Sequence, residues 1–254
     1  AASDVDTRQT LQAARERGIL EQDDTGDDGK DDADASAPGW APFALHPVLK
    51  KAMVALGFNT PTDVQAATLP PSLGTDAMQP RDVVGVAQTG SGKTLAYALP
   101  ILQYILENTA HSQDPARSLE ALVLTPTREL ALQVCSHIRA VVEAGGHFAN
   151  VAAICGGMSV QKQERVLLQR GGAHIVVATP GRLWDMIKHD DALALRVRRT
   201  RFLVIDEADR MIEAGHFAEM DLLLQMVRRT KGARLLSTSD AADSSLRVDR
   251  GGSR

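Results

Sequence analysis

The residues of this chain best equipped for chemistry are a lysine and threonine behind a glycine-containing loop, and two adjacent carboxylates much further on. Val83-Val84-Gly85-Val86 is a short apolar run, Ala87-Gln88-Thr89-Gly90-Ser91-Gly92 a loop, and Lys93-Thr94 opens a helical pattern through Leu95, Ala98, Leu99 and Ile101. Glycines let successive backbone N–H groups converge on phosphate oxygens at a helix N-terminus. Lys93 is then placed to reach the β- and γ-phosphates of a nucleotide, and the Thr94 hydroxyl to hold Mg²⁺. The general form of such a loop has glycine where Ala87 stands. A chance Gly/Ser loop before a helix is the bland alternative, and the strand–loop–helix context speaks against it. The second set is Asp206-Glu207-Ala208-Asp209, delivered by the apolar run that ends in Val204-Ile205. Asp206 suits Mg²⁺, usually through water, and Glu207 suits orienting or deprotonating an attacking water. Acids after a strand also cap helices; the pairing with a phosphate loop favours hydrolysis of a Mg-nucleotide.

To meet, the two sets need strands that end on one edge of a sheet. Short, nearly all-apolar runs rich in Val, Ile and Leu occur at 82–86, 120–125, 151–155, 174–178 and 202–206. Such runs predict strands covered by helices on both faces. Helical patterns fall at 47–56 and 62–69 ahead of the loop, then at 93–107, 127–144, 159–168, 181–188 and 217–229. Their alternation predicts a parallel, doubly wound α/β sheet, and there is no internal repeat.

Length and composition set the frame. The chain has 254 residues, 44% of them apolar, enough for one large or two small domains. No apolar run approaches the ~18 residues that a membrane helix needs, and the start shows no signal-peptide pattern. The first residue is Ala rather than Met, as expected of a fragment. Cys135 and Cys155 lie far apart in apolar segments, which predicts reduced core thiols and a cytosolic or nuclear setting. The net charge of −4 is uneven: residues 1–39 carry 11 acids and 4 bases, the last 28 residues 7 bases and 3 acids. A disordered acidic arm over 1–39 and a folded part from Trp40 follow. The middle is close to neutral, so bulk charge gives no argument for nucleic-acid binding. The seven histidines are scattered without zinc spacing; His216, near a helix start, reads as a capping or packing residue.

At Asp206-Glu207-Ala208-Asp209 the chain resembles the DEAD-box RNA helicases, whose signature these residues spell, and other motifs follow in that family's order. Ala87 to Thr94 is similar to the family's own phosphate loop, in which alanine is usual at the first position. Gly57-Phe58-Asn59-Thr60-Pro61-Thr62-Asp63-Val64-Gln65 resembles its adenine-reading motif, with Trp40 seventeen positions upstream where that family places an aromatic. Pro126-Thr127-Arg128-Glu129-Leu130, Gly156-Gly157 and Thr179-Pro180-Gly181-Arg182 resemble its RNA-contacting motifs. The resemblance covers about residues 40–230 and implies a RecA-like domain that uses ATP and Mg²⁺. It implies a nucleotide site of Trp40, Phe58, Thr62, Gln65 and 87–94. Gln65 would pair with adenine through its amide, and Trp40 would stack on the base, with Phe43 competing for that role and an ordinary core tryptophan at the domain edge as the alternative for Trp40. Pro126 to Glu129, Gly156, Gly157 and Thr179 to Arg182 would grip RNA phosphate and sugar without reading sequence. Residues 156–165, 179–184 and 209–217 resemble the nucleolar maintenance-of-killer subfamily. That likeness implies a nuclear, nucleolar monomer acting in large-ribosomal-subunit assembly, with pre-ribosomal proteins as partners.

The end of the chain departs from the family. A weak strand is expected at 233–237, but the family's Ser-Ala-Thr motif does not follow, and 233–254 reads as an unrelated, disordered tail after a domain over 40–232. The family's second RecA-like domain is not in this sequence. Three functions therefore compete: an RNA-stimulated ATPase and helicase, a truncated, catalytically incompetent nucleotide- and RNA-binding module, and, less well supported, a small-molecule kinase.

Overall fold

The computed structural model describes residues 37–74, 79–108, 119–157, 167, 172–213, 217–228, 234–239 and 247–250. The acidic arm up to residue 36, the expected helix over 159–168 apart from Leu167, His111 and His216 lie outside the described residues.

Two helices precede the first strand. α1 (Pro47–Ala55) begins on a proline, which has no N–H to lose at a first-turn position, and His46 Nδ1 accepts from the Val48 N–H at 3.2 Å. α2 (Asp63–Leu73) begins after Thr62, whose N–H donates to Gln65 Oε1 at 3.0 Å. Then come β1 (Val83–Val86), α3 (Lys93–Asn108), β2 (Ala121–Leu124), α4 (Arg128–Ala144), β3 (Val151–Ile154) and β4 (Ile175–Ala178). The chain continues through α5 (Pro180–Ile187), α6 (Asp191–Arg198), β5 (Phe202–Ile205), α7 (Ala208–Glu213), α8 (Phe217–Arg228), β6 (Arg234–Ser239) and β7 (Arg247–Arg250).

Among the described residues the sheet has seven strands in the order β3-β4-β2-β5-β6-β1-β7. The first six pair in parallel, and β7 adds an antiparallel edge to β1. Side chains alternate faces along a strand, and here both faces are dry. Ala121, Val123, Ile175, Val177, Phe202 and Val204 pack on one side against α1, α3 and α4. Their neighbours Leu122, Leu124, Val176, Ala178, Leu203 and Ile205 pack on the other against α5, α6 and α8. This is the doubly wound sheet that the apolar runs predict.

The expected tail over 233–254 is corrected at two places. Arg234–Ser239 is an interior strand lying between β5 and β1, with Arg234 opposite Phe202 and Leu236 opposite Val83. The domain therefore extends past residue 232. Only Leu235-Leu236 is apolar in this stretch; the strand is fixed by its neighbours instead. Leu235 N–H donates to Asp82 Oδ1 at 2.9 Å, and the Arg234 guanidinium lies 5.3 Å over the Phe202 ring. Arg247–Arg250 forms β7, which the expectation of disorder omits. At the other end, Ala37 is already part of the fold: it is buried and accepts from the Trp40 N–H at 2.9 Å. α6 and α7 are also additions to the expected elements. α6 has two buried residues, Leu193 and Val197, too few for a readable apolar stripe.

Both cysteines are buried free thiols. Burial pushes Cys135 up to about 11 and raises Cys155, as suits unreactive core residues. No described helix is long and apolar enough to cross a membrane.

Candidate functional site

The strand order decides what can meet. β1 and β5 flank β6, so the loop after β1 and the acids after β5 face each other across the end of one strand. The carboxyl ends of parallel strands are where such sheets take ligands.

The loop over 87–92 is compact. Ser91 N–H donates to the Gln88 carbonyl at 3.2 Å, and Gly90 and Gly92 take φ of 82° and 93°, which a side chain would resist. Gly92 is needed for a second reason: a Cβ there would lie 2.5 Å from Gln65 Nε2 and 2.9 Å from Thr62 Oγ1. Lys93, 8% exposed, donates through Nζ to the Ala87 carbonyl at 2.6 Å and to the Ser239 carbonyl at 3.4 Å. Its ammonium is thus held at the joint between β1 and β6.

Asp206, 4% exposed, follows β5 directly. Its Oδ2 accepts from the Tyr97 hydroxyl of α3 at 2.9 Å, and its Oδ1 from the Thr238 hydroxyl of β6 at 2.5 Å. Burial first, and then the Asp206 carboxylate, push the Tyr97 hydroxyl well above its ordinary range, so it stays a donor. Glu207 sits at φ 54°, a left-handed conformation that costs a residue with a Cβ roughly 1–2 kcal/mol. Its N–H donates to Thr238 Oγ1 at 3.4 Å, and Arg210 Nη1 lies 3.2 Å from its Oε2. Strained residues of this kind collect where function holds them.

A cavity of about 650 Å³ joins these parts. Thr89, Gly90, Gly92, Lys93 and Thr94 line it from the loop side, and Asp206, Glu207 and Arg210 from the β5 side. Phe58, Thr62 and Gln65 line it from the adenine-motif side, and Leu56, Leu130 and Ala140 add an apolar wall. Thr94 and Asp206 offer one hydroxyl and one carboxylate. Hard oxygen donors of low number suit Mg²⁺, which keeps water and nucleotide phosphates as its other ligands. Among the described residues no cluster of three or more His, Cys, Asp or Glu could hold a metal.

Trp40 does not stack on a base. It is 0% exposed, in the core beside Phe43, and donates from Nε1 to the Phe58 carbonyl at 2.6 Å. The ring that faces the cavity is Phe58, 46% exposed, and Trp40 braces its backbone from beneath. Gln65 is placed differently from a free adenine reader. Its Oε1 accepts from the Thr62 N–H and its Nε2 donates to the Gly92 carbonyl at 3.1 Å, so it ties the adenine motif to the phosphate loop. One amide hydrogen and one lone pair remain. Gln65→Ala is expected to weaken ATP binding by about 1–3 kcal/mol, the value of a good base contact, and GTP binding less. Equal losses in a competition titration would leave Gln65 the bracing role alone.

The remaining motifs gather on the other half of the same edge. Thr127 to Glu129 follow β2, Gly156-Gly157 follow β3 and Thr179 to Arg182 follow β4, and these three strands are neighbours. Thr127 caps α4, its Oγ1 accepting from the Leu130 N–H at 3.2 Å, behind the buried Pro126. Thr179 stands at the N-cap position of α5 without a side-chain cap bond, with Pro180, Gly181 and Arg182 in the first turn, and its N–H donates to the Ile154 carbonyl at 3.1 Å. Gly157 has φ 77°, and the Arg128 guanidinium occupies the space that a Cβ there would take. Gly157→Ala is expected to cost about 1–2 kcal/mol of stability through its φ and to dislodge Arg128. Titration of single-stranded RNA against salt should then show one phosphate contact fewer, a slope reduced by about 0.7, with Arg128→Ala giving the same reduction.

Sequence reasoning missed Tyr97, Thr238 and Arg210 as parts of the site. Tyr97 had a signal, since it lies one turn after Thr94 on the same helical face. Thr238 had none without the register of β6.

Comparison with known proteins bears on the family and the fold. A family model described as DEAD/DEAH box helicase matches residues 62–245. The chain is 43% identical over 208 residues to DEAD-box ATP-dependent RNA helicase 13 of Oryza sativa subsp. japonica, covering 76% of this chain and 24% of that protein. It is 43% identical over 216 residues to the ATP-dependent RNA helicase mak5 of Emericella nidulans, covering 83% of this chain and 26% of the relative. The chain thus spans about a quarter of the length of these curated relatives. Among solved structures, a DEAD box protein from the hyperthermophile Methanococcus jannaschii superposes with a TM-score of 0.65 at 31% identity, covering 79% of this chain and 49% of that one.

Proposed function

We propose, from the premise that this chain belongs to the DEAD/DEAH box helicase family, that it supplies the ATP-binding half of an RNA-stimulated ATPase and RNA helicase. The observation that carries the reading is the meeting of Lys93 and Asp206 across the end of β6, on a cavity that also receives Phe58 and Gln65.

In this reading Phe58 stacks on adenine and Gln65 couples the base site to the phosphate loop. Lys93 and the N–H groups of the loop neutralise and orient the β- and γ-phosphates. Thr94 and Asp206 would hold Mg²⁺, which when bound would supply positive charge to the phosphates. Glu207 takes or orients the proton of the attacking water, and Arg210 fixes its carboxylate in the meantime. RNA lies along the loops after β2, β3 and β4, held by Arg128 and Arg182 through phosphate. The subfamily resemblance of residues 156–165, 179–184 and 209–217, with the likeness to ATP-dependent RNA helicase mak5 beside it, supports a place in ribosome biogenesis, a nuclear, nucleolar location and pre-ribosomal partners.

Phosphate release tests the reading, with this sequence alone and joined to the family's second RecA-like domain, in the presence and absence of single-stranded RNA. RNA-dependent release by the joined protein, lost in Glu207→Gln, is the expected result. Release indifferent to RNA and to Glu207→Gln would overturn it.

A further inference from the structure

Asp206 is held on both sides, and one of its two holders belongs to no motif of the site. Thr238 reaches Oδ1 from β6; Tyr97 reaches Oδ2 from α3, at 2.9 Å and fully enclosed. A carboxylate with a donor on one oxygen can still turn about its last bond. A donor on each oxygen, from two different elements, removes that freedom. Each oxygen keeps a lone pair for the cavity that Asp206 lines.

Tyr97 is also near the other Mg²⁺ donor proposed above. It stands one helical turn after Thr94, on the same face of α3. A single hydroxyl thus lies between the hydroxyl of the phosphate-loop helix and the carboxylate after β5. A phenylalanine would fill the same volume and pack against the same neighbours. The oxygen is therefore the part of Tyr97 that packing does not require.

We infer that Tyr97 is a positioning residue for the metal-nucleotide site: its hydroxyl fixes the Asp206 carboxylate relative to Thr94, and so sets how strongly Mg²⁺ is bound with ATP. Outer-shell donors of this kind orient first-shell ligands. The inference rests on the Mg-ATP reading of the site.

The test measures binding of a fluorescent ATP analogue to the whole chain across a Mg²⁺ titration and in EDTA. The wild-type chain must bind more tightly with Mg²⁺; if it does not, the Mg-ATP reading fails and this inference with it. Given that result, Tyr97→Phe is expected to raise the Mg²⁺ concentration at half effect about tenfold while leaving affinity in EDTA within about twofold. Both affinities are taken on one sample, so any loss of folded protein cancels. An unchanged Mg²⁺ midpoint overturns the inference and leaves the site reading intact. In Asp206→Asn protein, Tyr97→Phe should add no shift. A further shift of the same size would mean that Tyr97 acts elsewhere, which also overturns it.

Discussion

Lys93→Ala is expected to abolish measurable ATP binding while leaving the fold in place. In the free protein the Lys93 ammonium is satisfied by two strand-end carbonyls, Ala87 at 2.6 Å and Ser239 at 3.4 Å. Lys93 itself lines the cavity, so water can take its place at these carbonyls and the loss to stability is about 1 kcal/mol, that of an ordinary hydrogen bond. The bound state is different. Truncating one partner of a buried, hydrogen-bonded charge pair costs about 2–5 kcal/mol, which is roughly 30- to several-thousand-fold in affinity. Calorimetric titration with ATP and a thermal melt on the same preparation separate the two effects. A melt collapsed by many degrees with residual ATP affinity would make Lys93 a brace between β1 and β6 rather than a phosphate ligand.

How far the sequence foretold this site depends on the kind of information each residue needs. Strands β1 to β5 were legible because each is apolar on both faces, and burial on both faces leaves a continuous apolar run. Lys93, Thr94, Asp206 and Glu207 were legible because loop and strand-end chemistry constrains residue type at short spacing. Trp40 was misassigned because residue type does not tell exposure. The indole goes to the core and the neighbouring motif's Phe58 to the cavity, a choice made by how 37–43 folds under Phe58. β6 was half legible: Leu235-Leu236 signals a strand, but its interior position depends on pairing with β1 and β5, which local pattern does not carry. Thr238 becomes part of the site only through that pairing. The Ser237-Thr238-Ser239 segment departs from the Ser-Ala-Thr expected of the family, yet its central hydroxyl binds Asp206 and accepts from the Glu207 N–H.

Glu207→Gln is expected to do the reverse of Lys93→Ala: ATP affinity survives and hydrolysis is lost. The substitution keeps shape, so the left-handed φ of 54° and the bond from the Glu207 N–H to Thr238 are unaffected. The pair with Arg210 weakens, but Arg210 is more than half exposed, and an exposed pair is worth about 0–1 kcal/mol. Ground-state binding rests on Lys93, the loop and Phe58, which line the cavity with Glu207. What disappears is an acceptor for the water's proton, and a positioned general base contributes about 10²–10⁴-fold in rate. Single-turnover hydrolysis of pre-bound ATP, followed alongside equilibrium binding, measures both quantities in one series. Turnover within a few-fold of wild type would move the base elsewhere in the cavity. Affinity lost as badly as in Lys93→Ala would make Glu207 a ligand of the metal or phosphates, and the division of labour between the two edges of β6 would have to be redrawn.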